Sequence, residues 1–267
     1  MIIIFGGTTE GRIAAKVLDE AGSPYYYSTR GNAQQIECKH GTRMTGGLDS
    51  NAMLEFCTTH DIRLIIDAAH PFASLLHSTV GAVSEQLDIP VIRLERRYPP
   101  RDESLVWCDS FDDAIDYLES HEINHLLALS GVQTIGKLRR YWEKHACHFR
   151  VLDREDSRTL AKQTGFPEKN LLFWHEGQDE LVLFRQLHPG AILTKESGES
   201  GYYEEKVTAA RQLGIPVIVI RRPPLPDSFY TVNGEHGLRY RVERLLPGFY
   251  PLRSRSEERR VGKECRL

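Results

Sequence analysis

The chain has 267 residues, 40% hydrophobic, 9% aromatic and 27% charged, proportions of a globular protein that exclude disordered, collagen-like and coiled-coil classes. No apolar run approaches the roughly 20 residues of a membrane span, the stretch at 1–5 lacks the basic flank of a signal peptide, and five scattered cysteines without a CxxC pair predict reduced thiols, so a cytoplasmic protein with no membrane association is expected. The formal net charge is −3, but residues 253–267 carry six Lys/Arg against three Asp/Glu, which leaves −6 on the body and excludes it as a nucleic-acid binder by charge.

Short apolar runs bounded by turn residues alternate with amphipathic segments of helix length, the pattern of parallel sheets wrapped by helices, so the fold class is α/β. A buried strand at 2–5 leads into a helix at 12–21 with Ile13, Ala14, Val17 and Leu18 on one stripe. A strand at 25–28, a helix at 52–59, a strand at 64–67, a helix at 74–87 and a strand at 90–94 complete a first series. The polar, proline-broken RRYPPRDE at 96–103 predicts a linker. The second series has helices at 111–118, 135–142, 181–187 and 205–213 and strands at 126–129, 149–152, 191–194 and 217–220. QLDIPVIRLERR at 86–97 rhymes with QLGIPVIVIRRP at 212–223, as duplication of one α/β unit would produce. The expected organisation is two Rossmann-like parallel-sheet domains, 1–98 and 99–252, with a cleft between them. Residues 253–267 lack a buried face at either period, follow the punctuation PGFYP at 247–251, and read as a disordered, non-native tail.

Gly6, Gly7 and Gly11 stand in GGTTEG between the first strand and the first helix, where glycines let the backbone approach a pyrophosphate laid on the helix N-terminus. Thr8 and Thr9 add hydroxyls, and Arg12 joins this candidate cofactor set; a tight turn without a ligand is the plainer alternative. The second strand ends in Ser28-Thr29-Arg30 rather than in the acid that an NAD site places on the ribose. Ser28 and Arg30 therefore point to a 2′-phosphate and to NADPH, with NADH as the alternative.

Two motifs mislead. His121, Glu122 and His125 match HExxH but straddle the end of a helix and the start of a strand, so no protein-bound metal is expected. Tyr202 and Lys206 match YxxxK, which opens a short-chain reductase or epimerase reading, yet they follow the loop at 197–201 and fit a ligand-binding loop better.

DAAHPFA at 67–73 follows a buried strand at its carboxyl end, where open α/β sheets place ligands. Pro71 and Phe72 start the next helix, leaving His70 at or just before its N-terminus as the candidate catalytic residue, with a structural capping histidine as the alternative. Lys195 and Ser197 occupy the same topological position in the second series, and Ser130-Gly131 ends that series' first strand. Arg93, Arg96, Arg97, Arg221 and Arg222 end the rhyming strands and are expected to face the cleft, as a polycarboxylate substrate requires.

At IIIFGGTTEGR (2–12), IIDAAHPFA (65–73), IPVIRLERR (89–97), ILTKESG (192–198) and EKVTAARQLGIPVIVIRRP (205–223) the chain resembles the precorrin-6A reductases of corrin (vitamin B12) biosynthesis, including the cobalt-precorrin-6A reductases. Ala69, Glu196 and Arg97 depart from that family's usual Thr, Asn and Pro. The resemblance implies a nicotinamide cofactor at the glycine loop and a tetrapyrrole in the cleft, reduced by hydride transfer from (cobalt-)precorrin-6A to (cobalt-)precorrin-6B. It makes His70 the residue that orients substrate or supplies a proton, and Lys195, Ser197, Lys206 and Arg222 the candidates for substrate carboxylates. Any cobalt would arrive in the macrocycle, and transient contact with neighbouring pathway enzymes is the expected protein partnership. A non-catalytic dinucleotide-sensing module is the remaining alternative.

Overall fold

The structure is a computed structural model that describes residues 1–32 and 34–249, so the tail expected at 253–267 lies outside the described residues. The described chain divides into two compact units, Met1–Arg96 with residues 224–249, and Arg97–Pro223.

The first unit is built on a six-stranded parallel sheet. In chain order it contains β1 (Ile2–Phe5), α1 (Thr9–Glu20), β2 (Tyr25–Thr29), β3 (Gly41–Thr45), α2 (Ser50–Thr59), β4 (Leu64–Asp67), α3 (Ser74–Leu87) and β5 (Val91–Glu95). All four residues of β1 are buried because it lies between two strands with helices on both faces: Ile2 and Ile4 pack with α1, Ile3 and Phe5 with α2 and α3. Such a strand reads as a continuous apolar run, which is why it is visible in the sequence. Helix α1 starts where Thr8 caps it, its hydroxyl accepting from Gly11 N–H.

The second unit contains β6 (Val106–Cys108), α4 (Phe111–Ser120), β7 (His125–Ala128), α5 (Arg139–Trp142), β8 (Ala146–Leu152), α6 (Glu155–Thr164), β9 (Leu171–Trp174), α7 (Glu180–Leu187), β10 (Ala191–Lys195), α8 (Tyr203–Gln212) and β11 (Val217–Ile220). Ser110 and Asp113 form a reciprocal capping box at the start of α4. The helix expected at 135–142 is instead two 3-10 turns, Val132–Thr134 and Gly136–Leu138, followed by the single turn α5.

The expected second domain at 99–252 needs correction. After β11 the chain returns to the first sheet, adding β12 (Tyr230–Asn233) parallel to β5 and then α9 (Gly234–Leu245), whose Leu238 and Val242 enter the same core as Ile2 and Ile4. The strand orders are β12-β5-β4-β1-β2-β3 and β6-β11-β10-β7-β8-β9. Five strands follow one order in both, β5-β4-β1-β2-β3 and β11-β10-β7-β8-β9, and the two rhyming segments, α3–β5 and α8–β11, occupy equivalent places in it; the edge strand comes last in the first unit and first in the second. In each sheet the strand beside the rhyming one is a short edge strand followed by a helix, β12–α9 in the first and β6–α4 in the second.

Candidate active site

In the first unit β1 delivers the glycine loop, and its three glycines do different work. A Cβ on Gly6 would lie 2.3 Å from the Tyr27 hydroxyl, and one on Gly11 2.5 Å from it, so these two are glycines because the buried Tyr27 ring fills the space against them. Gly7 is exposed, has φ +93°, and its Cβ would meet nothing nearer than the Thr29 Cγ2 at 4.0 Å. It is the glycine whose open side a ligand can approach. Gly7 N–H is shared between Gln34 Oε1 (3.1 Å) and the Tyr27 hydroxyl (3.3 Å), Tyr27 donates to the same Gln34 oxygen (2.7 Å), and Gln34 Nε2 donates to Thr8 O (2.9 Å). Burial pushes the Tyr27 phenol up, which keeps it a neutral donor.

The other expected cofactor residues lie around this loop. Ser28 is buried, and its carbonyl accepts from Gly6 N–H at 2.9 Å; the Thr29 hydroxyl turns to Gly31 O at 2.8 Å; Arg30 is exposed just past the end of β2. Thr9 and Arg12 are exposed on the first turns of α1. Glu10, in the same first turn, is buried and paired with Arg96 at 3.1 Å, so its charge does not oppose an anion there. An open positive-φ glycine and a capped helix start fit the phosphates of a dinucleotide.

Thr8 ties this loop to the end of β4: its hydroxyl donates to Ala68 O at 2.6 Å. Ala68 leads into His70 at the carboxyl end of β4, which pairs directly with β1. The segment 69–73 is not helical. Ala73 N–H donates to His70 O at 2.8 Å and α3 begins only at Ser74, so Pro71 and Phe72 form a turn ahead of the helix rather than its start. Phe72 N–H donates to His70 Nδ1 at 3.2 Å, so the neutral ring carries its hydrogen on Nε2.

A buried charged cluster holds that segment from beneath. Asp67 accepts from His77 Nδ1 (2.6 Å), Arg93 Nη1 (2.9 Å) and Ala69 N–H (3.1 Å). His77 Nε2 donates to His70 O (3.1 Å), and Arg93 Nη1 also reaches Ala69 O (2.9 Å), with Glu95 on the far side of the guanidinium (3.2 Å). Burial alone would raise the Asp67 carboxyl, but the His77 hydrogen bond and the Arg93 charge outweigh it and hold it below the usual range. Arg93 and Arg96 therefore do not face a substrate as expected; both are buried against acids of their own unit.

In the second unit the loop after β10 carries the expected carboxylate-binding residues. Lys195 is half-buried at the strand's end. Lys206 is buried and donates to Gly201 O at 2.8 Å, with Ser197 Oγ on the same carbonyl at 3.4 Å, so both hold the loop. Burial, then the nearby Arg150, pushes the Lys206 ammonium down to about 8. Arg222 turns to the buried Glu196 (2.7 Å), which Arg101 also grips through Nε (3.1 Å) and Nη2 (3.0 Å). Tyr202 stands ahead of α8 and not within it. His121 caps α4 while His125 opens β7 beside His148, so the HExxH pair sits on two elements.

His77, Tyr27, Gln34, Glu10 and Arg101 were not legible as site residues. His77 alone left a signal, an imidazole on the buried stripe of α3 with Val80 and Val83. Gln34 and Arg101 lie in aperiodic loops. Among the described residues no helix is long and apolar enough to cross a membrane, and no group of three or more His, Cys, Asp or Glu side chains is placed to hold a metal ion.

Residues 1–237 match the family described as precorrin-6x reductase CbiJ/CobK. The chain is 30% identical over 233 residues, 83% of its length and 76% of the other's, to a cobalt-precorrin-6A reductase of Methanothermobacter thermautotrophicus. It is 30% identical over 247 residues, 88% and 94% of the two lengths, to a precorrin-6A reductase of Rhodococcus erythropolis. A solved structure titled CobK precorrin-6A reductase shares the fold at a TM-score of 0.76 and 23% identity, over 95% of this chain and 99% of that one.

Proposed function

The chain belongs to the precorrin-6x reductase family and is an oxidoreductase of cobalamin biosynthesis that reduces precorrin-6A; from that premise we propose that it uses NADPH held at the Gly6–Gly7–Thr8 loop, with His70 as the proton donor. The observation that carries this reading is the Thr8–Ala68 hydrogen bond, which fixes the cofactor loop to the strand end that presents His70. The bound nicotinamide supplies a hydride, two electrons and one hydrogen, to one atom of the macrocycle. A proton must reach the second atom of the reduced double bond; His70 supplies it as the imidazolium and returns to the neutral ring, whose Nδ1 accepts from Phe72 N–H. The Asp67–His77–Arg93 cluster fixes the backbone from which the ring projects. Arg30 recognises the 2′-phosphate. Lys195 receives a peripheral carboxylate, whereas Lys206, Ser197 and Arg222 act through the loops they hold. The enzyme works in the cytoplasm on a tetrapyrrole passed along by neighbouring enzymes.

The short-chain reading is weaker because Lys206 is turned inward to Gly201 O and Tyr202 is outside the helix that would place both on one face. An anaerobic assay tests the function directly. Purified protein with metal-free or cobalt-containing precorrin-6A should oxidise one NADPH per macrocycle while the macrocycle spectrum changes. Oxidation without a spectral change, or no turnover of either substrate, would contradict it.

A further inference from the structure

We propose that Tyr202 and Trp174 form an aromatic platform that receives the flat face of the tetrapyrrole at the carboxyl ends of β9 and β10, a proposal that rests on the substrate reading above and deepens it. Tyr202 is a bulky residue held at φ +52° and ψ 42°, a left-handed conformation that is unfavourable for an L-residue and that glycine usually fills. Burial does not offset this, since Tyr202 is 49% exposed. Its ring stands 5.7 Å from that of Trp174 at an interplanar angle of 42°.

That contact is unexpected from the sheet order, because β7 and β8 lie between β10 and β9. At about 4.8 Å per strand the two strands are roughly 14 Å apart. The two rings therefore reach toward each other past the ends of β7 and β8. Leu152, at the end of β8 and in register with Trp174, is 46% exposed and extends the apolar row. A large apolar surface left open on a strained backbone is a binding surface rather than a packing one.

The loop that presents Tyr202 is fixed on both sides of the strained residue. Gly201 O takes the Lys206 and Ser197 bonds, Gly201 N–H donates to Gly198 O at 3.0 Å, and Tyr202 N–H donates to Glu199 O at 3.2 Å. Lys195 ends β10 beside this loop, and its charge and that of Arg150 are both felt by Lys206. An open aromatic row with lysine at its side suits a conjugated ring bearing peripheral carboxylates. Tyr202 and Trp174 are thus positioning residues for the macrocycle plane, and Lys206 positions Tyr202.

The test uses the full chain with precorrin-6A under saturating NADPH. Tyr202→Gly should raise the KM for precorrin-6A by about tenfold, the size of one lost aromatic contact, while the melting temperature stays level or rises because glycine relieves the left-handed strain. Tyr202→Phe should restore most of the lost affinity. Precorrin-6A should quench tryptophan fluorescence, and Trp174→Phe should lose most of that quenching even where Trp174→Ala fails to fold. A wild-type KM in folded Tyr202→Gly, or full quenching in Trp174→Phe, would overturn the platform alone. Absence of precorrin-6A turnover by the unaltered chain would instead bring down the substrate reading and the platform with it.

Discussion

The loops after β4 and after β10 occupy equivalent places in the matching five-strand parts of the two sheets, and both are held by buried cations that donate to backbone carbonyls. They differ in how the charge is balanced. Under His70, Arg93 and His77 share Asp67, with Glu95 closing the cluster, so opposite charges meet within hydrogen-bond distance. Under Tyr202, Lys206 donates to a neutral carbonyl, Gly201 O, and lies near the charges of Arg150 and Lys195, with Glu180 opposing them. The first loop rests on a buried cluster of paired charges and the second on a buried ammonium that donates to a neutral carbonyl. Charged residues at the ends of these strands thus mostly build the loops, and few are left to meet a ligand.

Removing the central anion of the first loop should separate the two loops most strongly. Asp67→Asn should destabilise the protein by about 3–5 kcal/mol, the range for leaving a buried cation without its partner, measured by denaturant unfolding. Lys206→Met, which deletes a buried charge with no paired carboxylate, should lower stability far less or raise it. Equal losses for the two variants would erase the distinction.

Two equivalent glycines sharpen it further. Gly7 (φ +93°) follows β1 and Gly131 (φ +86°) follows β7, both with open space where a Cβ would stand. Gly7→Val should weaken NADPH binding by about tenfold or more, since the branched side chain fills the approach of the phosphates. Gly131→Val should leave NADPH affinity at its wild-type value. Calorimetric titration of both variants decides whether the cofactor belongs to the first unit alone.

The smallest expected effect is a pH dependence. A lysine whose folded pKa is lowered from 10.5 to about 8 binds fewer protons in the folded than in the unfolded state between those values. Stability contributed at Lys206 therefore rises as pH increases from about 8 to about 10.5. The stability of wild type relative to Lys206→Met should grow across that window, and a flat difference would mean that Lys206 is better solvated than its burial suggests.

Legibility from sequence followed burial. The central strands β1, β4, β5, β10 and β11 are buried on both faces and read as apolar runs, and α1 and α4 carry a clear stripe and cap. The edge strands β3, β6 and β12 left no readable period: β12 is a four-residue run with no buried residue, and β6 has three residues with one buried. Helix α9 was missed because only Leu238 and Val242 are buried among its twelve residues. At the site, the glycine loop and His70 were visible because chain order alone places them at strand ends. The fates of Arg93, Arg96 and Arg222 were not visible, because their partners Asp67, Glu10 and Glu196 lie 26, 86 and 26 residues away in the sequence.

As proposed, His70 acts on the macrocycle from a loop that other residues hold. Single-turnover reduction of precorrin-6A by His70→Ala at saturating NADPH tests it most directly. The rate should fall by about 100-fold, the lower end of what a positioned proton donor contributes, with NADPH affinity and melting temperature unchanged. A wild-type rate, or a loss of rate matched by an equal loss of cofactor affinity, would contradict it.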